Sequence, residues 1–183
     1  MEKDTIVYYS IVNKKNIIID DTSGRLETKQ ARIILTKMLG YFNLNLPEIY
    51  TLTNGKPFFR DSNLFFNYSH SKNYIACAIS KYEVGIDIEE ISRNISDNIA
   101  KKYLNNEKDN SKRIETWVKK ESYSKLKGLG LQIKFQNIKL NEITESNLFI
   151  NSEEYMCSIY CDSDDIEFKE LCLNGSELLW KKY

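Results

Sequence analysis

The sequence predicts an α+β fold made of two similar halves, and three observations carry that reading. The element order strand, helix, strands occurs twice along the 183 residues. At the middle of the chain VGIDIEE, residues 84–90, alternates apolar and acidic side chains with the period of a strand and opens the second half. An apolar fraction of 42% with 12 Tyr and 8 Phe belongs to a folded chain and not to a disordered one. The halves are expected at residues 1–82 and 83–183, joined near Lys81 to Val84. No residue-level repeat relates them, so element order alone divides the chain.

Taken in order, TIVYYSIV at 5–12 is β-branched and aromatic and reads as the first strand. A turn-rich segment with Asp20, Asp21, Ser23 and Gly24 follows. From Glu27 to Leu39 the apolar residues Ala31, Ile34, Leu35, Met38 and Leu39 keep helical spacing, and Gly40 is the expected stop. EIYTLT, from Glu48 to Thr53, is a short run before the Asn54-Gly55 turn. Strands are expected from Leu64 to Tyr68 and from Asn73 to Ser80, with Ser69, His70, Ser71 and Lys72 between them, which places His70 at a strand end or loop. Residues 91–116 are polar and predict a short helix and a loop. IETWVKKESYSKLK, residues 114–127, reads as a helix stopped by Gly128 and Gly130. Beyond it IKFQNIKL, LFI, EYMCSIYC and residues 167–173 read as strands.

Composition excludes several function classes. Lys plus Arg and Asp plus Glu both number 26, and no basic stripe is present, so nucleic acid is a poor partner. Cys77, Cys157, Cys161 and Cys172 lack a framework spacing and read as buried free thiols of a reducing compartment. The single histidine, His70, excludes a multi-histidine metal centre. The N-terminal MEKDTIVYYS is too acidic, with too short an apolar run, for a signal peptide, and no apolar stretch of about 18 residues exists. A cytoplasmic location without membrane contact is expected. GxxxxGK[ST] and GxGxxG are both missing, which argues against a P-loop hydrolase and a dinucleotide fold.

The chemistry centres on VGIDIEE. Asp87 and Glu89 project from one strand face, about 6 to 7 Å apart, and either share a hard cation or sit on a solvated edge strand. On the downstream helix Trp117, Glu121 and Lys125 follow one another at four-residue spacing along one side, with Lys120 beside them. That pattern serves equally as a surface Glu–Lys pair. Asp87, Glu89 and Glu121 supply three oxygen ligands, the donor set of Mg²⁺ and not of a soft metal. Lys120, Lys125 and His70 are then placed to hold phosphate oxygens, although His70 is also consistent with a locally hydrogen-bonded side chain. A triad of Ser69 or Ser71 with His70 is disfavoured, because sequence neighbours rarely reach that geometry.

FNYSHS at 66–71, VGIDIEE at 84–90 and WVKKESYSKLKGLG at 117–130 resemble, in order and separation, the three diagnostic blocks of the surfactin-synthetase type of 4′-phosphopantetheinyl transferase. Gly55, Lys56 and Pro57 resemble a weaker fourth block, and Arg32 in ARIILTKML resembles a helical arginine near coenzyme A. The resemblance covers about residues 28–130, with a vaguer echo at 154–161. The smaller, trimer-forming carrier-protein synthases match less well.

This resemblance implies a monomer with coenzyme A in the cleft between two α+β halves. It implies transfer of phosphopantetheine to a serine of an acyl or peptidyl carrier protein, a holo-carrier-protein synthase activity that releases adenosine 3′,5′-bisphosphate. Asp87, Glu89 and Glu121 are then the Mg²⁺ acids. His70 and Lys125 contact phosphate, His70 as a catalytic residue beside Glu121 and Lys125, Ser69 lies on the co-substrate side, and Lys120 stands next to the metal acid. Gly55, Lys56 and Pro57 lie near adenine and Arg32 near the 3′-phosphate. Glu121 accepts the serine proton, directly or through a water, while Lys125 assists the leaving phosphate. The basic pair that the family often places before the first helix has no match beyond Arg25 and Lys29, and the 90–113 segment, where the carrier docks, is compact. Two other readings use the same residues: a metal-dependent phosphodiester or pyrophosphate hydrolase, and a non-catalytic homologue that binds coenzyme A or a carrier.

Overall fold

The computed structural model describes residues 5–19, 24–53, 55–128, 135–173 and 178–180. The expected turn residues Asp20, Asp21, Ser23 and Asn54, the stop at Gly130, and the start of the IKFQNIKL run lie outside them. The first half runs β1 (Thr5–Asn13), β2 (Ile17–Ile19), α1 (Leu26–Gly40), β3 (Ile49–Thr51), β4 (Pro57–Phe59), β5 (Phe65–His70) and β6 (Tyr74–Ser80). The second runs β7 (Val84–Glu90), α2 (Asp97–Tyr103), α3 (Asn110–Lys127), β8 (Ser146–Asn151), β9 (Tyr155–Cys161), β10 (Ile166–Glu170) and β11 (Leu178–Trp180).

The two halves repeat one scheme. In the first, β1 pairs antiparallel with β6, the second strand of the β5–β6 hairpin, and α1 covers the sheet. In the second, β7 pairs antiparallel with β9, the second strand of the β8–β9 hairpin, and α3 covers that sheet. The sheet orders β1-β6-β5 and β7-β9-β8 therefore correspond strand for strand, which is the pseudo-symmetric α+β arrangement that the element order predicts. After the second unit the chain returns to the first layer, where β10 pairs parallel with β1.

Side-chain alternation dictates the layering. Along β7, Val84, Ile86 and Ile88 are fully buried and meet Cys157, Ile159 and Cys161 of β9 and Ala76 and Ala78 of β6 between the two sheets. Each such isoleucine contributes about 1.5–3 kcal/mol by leaving water. Gly85, Asp87 and Glu89 point the other way, to α3. A Cβ on Gly85 would overlap the Ser122 carbonyl and the backbone of Leu126, so the missing side chain lets α3 settle directly on β7.

Several expectations change at element ends. α1 includes Gly40 as its last residue, and the left-handed turn comes later, at Asn43 with φ of 57°. α3 begins at Asn110, four residues before the expected start, because the Asp109 side chain caps it by accepting from the Lys112 N–H at 2.9 Å. Gly128 stops it with φ of 63°, as the sequence predicts. His70 is the last residue of β5 and not part of a loop. The described part of IKFQNIKL is not a strand: 3-10 turns lie at Phe135–Asn137 and Leu140–Glu142. All four cysteines are free, but Cys172 is exposed and only the other three are buried. Among the described residues no helix is long and apolar enough to cross a membrane.

Candidate active site

A cleft of about 560 Å³ opens where the two halves meet. Its walls come from Gly55 and Lys56 of the β3–β4 connection and Pro57 at the start of β4, from Asn67, Tyr68, Ser69 and His70 of β5, from Asp87 and Glu89 of β7, and from Trp117, Glu121 and Lys125 of α3. That volume falls in the range of small-molecule sites. The helical side chains reach it because four-residue spacing stacks Trp117, Glu121 and Lys125 on the face that rests on β7.

The floor is a polar knot. Lys125 Nζ donates to Asp87 Oδ1 at 2.6 Å, to Ser69 Oγ at 2.8 Å and to the Ile86 carbonyl at 3.2 Å. Ser69 Oγ in turn donates to Asp87 Oδ1 at 2.6 Å. The Ile86 N–H donates to Asn67 Oδ1 at 3.1 Å, so side chains satisfy the edge of β7. Asp87 is 5% exposed, and its Oδ2 is buried without a hydrogen-bond partner among the described residues.

Charge in the cleft is unevenly compensated. The Glu121 carboxyl is pushed above the usual glutamate range, first by burial and then by the neighbouring Asp87 carboxylate, while Lys125 and Arg93 pull it down. His70 keeps an exposed side at the end of β5; its partial burial and then Lys14 disfavour the imidazolium, Glu27 and Asp87 favour it and Lys125 opposes it. Glu89 is ion-paired with Arg93, whose guanidinium lies over the Trp117 ring with its carbon 5.0 Å from the centroid.

The orphaned Asp87 oxygen beside a Glu121 of raised proton affinity fits a hard divalent cation, whose charge would relieve both. Glu89 shares their face but is held by Arg93. Among the described residues, no group of three or more His, Cys, Asp or Glu side chains is already arranged to hold a metal ion.

Of the residues singled out from sequence, His70, Ser69, Asp87, Glu89, Glu121, Lys125, Gly55, Lys56 and Pro57 all line this one cleft. Arg32 does not. It lines an adjoining pocket of about 200 Å³ together with Arg25 and Thr28, and Gly55, Pro57 and Tyr68 form walls of both. Lys56 lines the cleft, but its ammonium pairs with Glu83 and donates to the Leu126 carbonyl at 3.0 Å, tying the β3–β4 connection to the end of α3.

Lys120 is the clear departure. It is 2% exposed and donates to the carbonyls of Tyr103 at 2.8 Å and Phe135 at 3.3 Å, away from the cleft. Adjacent helix positions point about 100° apart, so Lys120 cannot share the face of Glu121. Burial lowers its proton affinity. Arg93, Asn67 and Tyr68 are cleft residues that sequence reasoning missed. Asn67 and Tyr68 carried a usable signal, since they sit in the FNYSHS block, Asn67 on the strand face of Ser69 and Tyr68 on that of His70; Arg93, in a polar run, carried none.

The fold and this cleft define a member of the 4′-phosphopantetheinyl transferase superfamily: the family's model matches residues 83–174, half of the chain, and the chain belongs to that family. Among individual proteins it is similar to the 4′-phosphopantetheinyl transferase gsp of Aneurinibacillus migulanus, 35% identical over 118 aligned residues that cover 58% of this chain and 49% of the relative. The chain thus spans about half the length of the curated relative it matches.

Proposed function

We propose that the protein transfers the 4′-phosphopantetheine group of coenzyme A to a serine hydroxyl of an acyl or peptidyl carrier protein, as a transferase of the surfactin-synthetase-activating type. The observation that carries this reading is the convergence of Ser69, Asp87 and Lys125 on the floor of a cleft whose walls hold His70 and Glu121. Family membership supports it. Coenzyme A lies between halves 1–82 and 83–183, with its adenine end toward Gly55 and Pro57 and its 3′-phosphate toward Arg32 and Arg25.

In this reaction the carrier serine Oγ attacks the pyrophosphate phosphorus on the pantetheine side. A new O–P bond forms, the bond to the bridging oxygen breaks, and adenosine 3′,5′-bisphosphate leaves with that oxygen. Glu121 receives the serine proton, directly or through a water. Lys125, braced by Asp87 and Ser69, sets a positive charge beside the leaving phosphate. His70 meets the phosphates from the end of β5. Partial burial and then Lys14 disfavour its imidazolium in the free chain, and the anionic phosphates of the co-substrate favour it. Mg²⁺ held by Asp87 and Glu121, with Glu89 as third acid, supplies neutralisation of the pyrophosphate charge when bound.

Measuring adenosine 3′,5′-bisphosphate after incubation with coenzyme A and Mg²⁺ tests the reading. Release that requires an apo carrier protein and equals the amount of carrier modified is expected. Release without any carrier would assign hydrolysis instead, and binding of coenzyme A without release would assign a non-catalytic role.

A further inference from the structure

The hairpin turn that follows His70 is held on both flanks by residues outside the cleft. Residues 71–74 close on themselves, with the Ser71 N–H donating to the Tyr74 carbonyl at 2.9 Å and the Tyr74 N–H to Ser71 Oγ at 3.3 Å. From one side Lys14, in the 3-10 turn Lys14–Asn16 after β1, donates its ammonium to the Ser71 carbonyl at 2.6 Å. Its backbone N–H also donates to the Asn73 carbonyl at 2.8 Å. From the other side Glu90, the last residue of β7, accepts the Asn73 N–H at 2.5 Å through Oε1 and the Ser92 hydroxyl at 3.3 Å through Oε2.

Glu90 is only 8% exposed. Burying a carboxylate is unfavourable unless it is hydrogen-bonded, and these oxygens are used on a backbone N–H and a hydroxyl and not on solvent. The bonds from Lys14 and Glu90 converge on Asn73, whose C=O and N–H are both taken, so the turn has one position relative to β1 and β7. His70 is the residue that leads directly into it.

We propose that Glu90 and Lys14 are positioning residues that clamp the 71–74 turn and thereby fix where His70 stands in the cleft. The part of this that concerns phosphate binding rests on the transferase reading; the clamp itself does not. The charged groups that face His70 are Lys14 from the turn after β1, Glu27 from α1, Asp87 from β7 and Lys125 from α3. Loosening the turn moves the imidazole away from all of them and toward water.

His70 is the single histidine of the chain, so its imidazole NMR signals report on it without assignment. In the full chain, Glu90→Ala is expected to shift those signals and raise the titration midpoint toward that of a free histidine. The half-saturating coenzyme A concentration should rise about fivefold, the effect of one weakened hydrogen bond to a charged group, with kcat changed less than about twofold. Glu90→Gln keeps an oxygen for the Asn73 N–H and should restore both readouts. Glu90→Asp keeps the charge but draws the carboxylate back by one carbon from the Asn73 N–H, should move His70 in the same direction, and decides the matter if Glu90→Ala does not fold. His70 signals unchanged in the alanine and aspartate variants, or a glutamine variant as impaired as alanine, would overturn the clamp. If the wild-type protein transfers nothing to any carrier, the transferase reading fails while the His70 signals still decide the clamp.

Discussion

Lys125 Nζ lies 2.6 Å from Asp87 Oδ1, and this contact joins α3 to β7 at the floor of the cleft. The lysine keeps 28% of its side chain open, whereas Asp87 is nearly enclosed, so the pair presents its positive end to whatever enters. One Asp87 oxygen is consumed by Lys125 and Ser69, and the other has no partner among the described residues.

Asp87→Asn is therefore expected to preserve the fold, since the amide oxygen still accepts from Ser69 and Lys125. Losing the charged bond should lower the unfolding free energy by about 1–3 kcal/mol. Transfer should fall about 100-fold or more, as for removal of a preorganised charge at a reacting phosphate. Steady-state kinetics with urea unfolding on the same preparation checks both, and full activity would remove Asp87 from the reacting centre.

Gly85→Ala should damage folding more than any change at the cleft. The added Cβ would meet the backbone of Ser122 and Leu126, approaching Leu126 Cα to 2.9 Å, and backbone cannot rotate aside as a side chain can. A loss at or above the upper end of about 1–3 kcal/mol is expected, read as a lowered urea midpoint.

Lys120→Met separates a structural lysine from a phosphate ligand. The variant loses bonds to the Tyr103 and Phe135 carbonyls, so stability should fall by about 1.5–3 kcal/mol. The half-saturating coenzyme A concentration should not change. A large rise in that concentration with unchanged stability would return Lys120 to the cleft.

The pH dependence of stability reports Glu121. Its carboxyl holds a proton more tightly in the folded chain than in the unfolded one, so its stabilising contribution is complete below the ordinary glutamate pKa and is lost as pH rises through the raised value. In metal-free buffer, Glu121→Gln should gain stability relative to the wild type as pH rises above the ordinary glutamate range. Parallel curves for the two proteins would show that the carboxyl is not perturbed.

Much of this geometry was legible in the sequence because β7 obeys a strict period of two. Val84, Ile86 and Ile88 are buried between sheets, and Asp87 and Glu89 share the opposite face, as their alternation predicts. Glu121 and Lys125 reach that face because four residues make one helical turn. Lys120 was misplaced because motif proximity says nothing about which way an adjacent helical residue points. The IKFQNIKL run imitates strand alternation, but Phe135 packs against the Trp117 and Tyr103 rings at 5.0 and 5.8 Å and its carbonyl receives Lys120, so tertiary contacts override local preference. Arg93 was invisible because its partners, Glu89 and Trp117, come from two other elements. The role of Glu90 likewise depends on Asn73, seventeen residues earlier and on the far side of a hairpin.

The most direct measurement is the intact mass of a panel of apo carrier proteins, from fatty-acid, polyketide and nonribosomal peptide systems, after incubation with this protein, coenzyme A and Mg²⁺. Transfer predicts a gain of about 340 Da, the mass of the phosphopantetheine group, on at least one carrier, and no gain when its acceptor serine is replaced by alanine. A panel that stays at apo mass throughout, with coenzyme A intact or split by water alone, would contradict the proposed function.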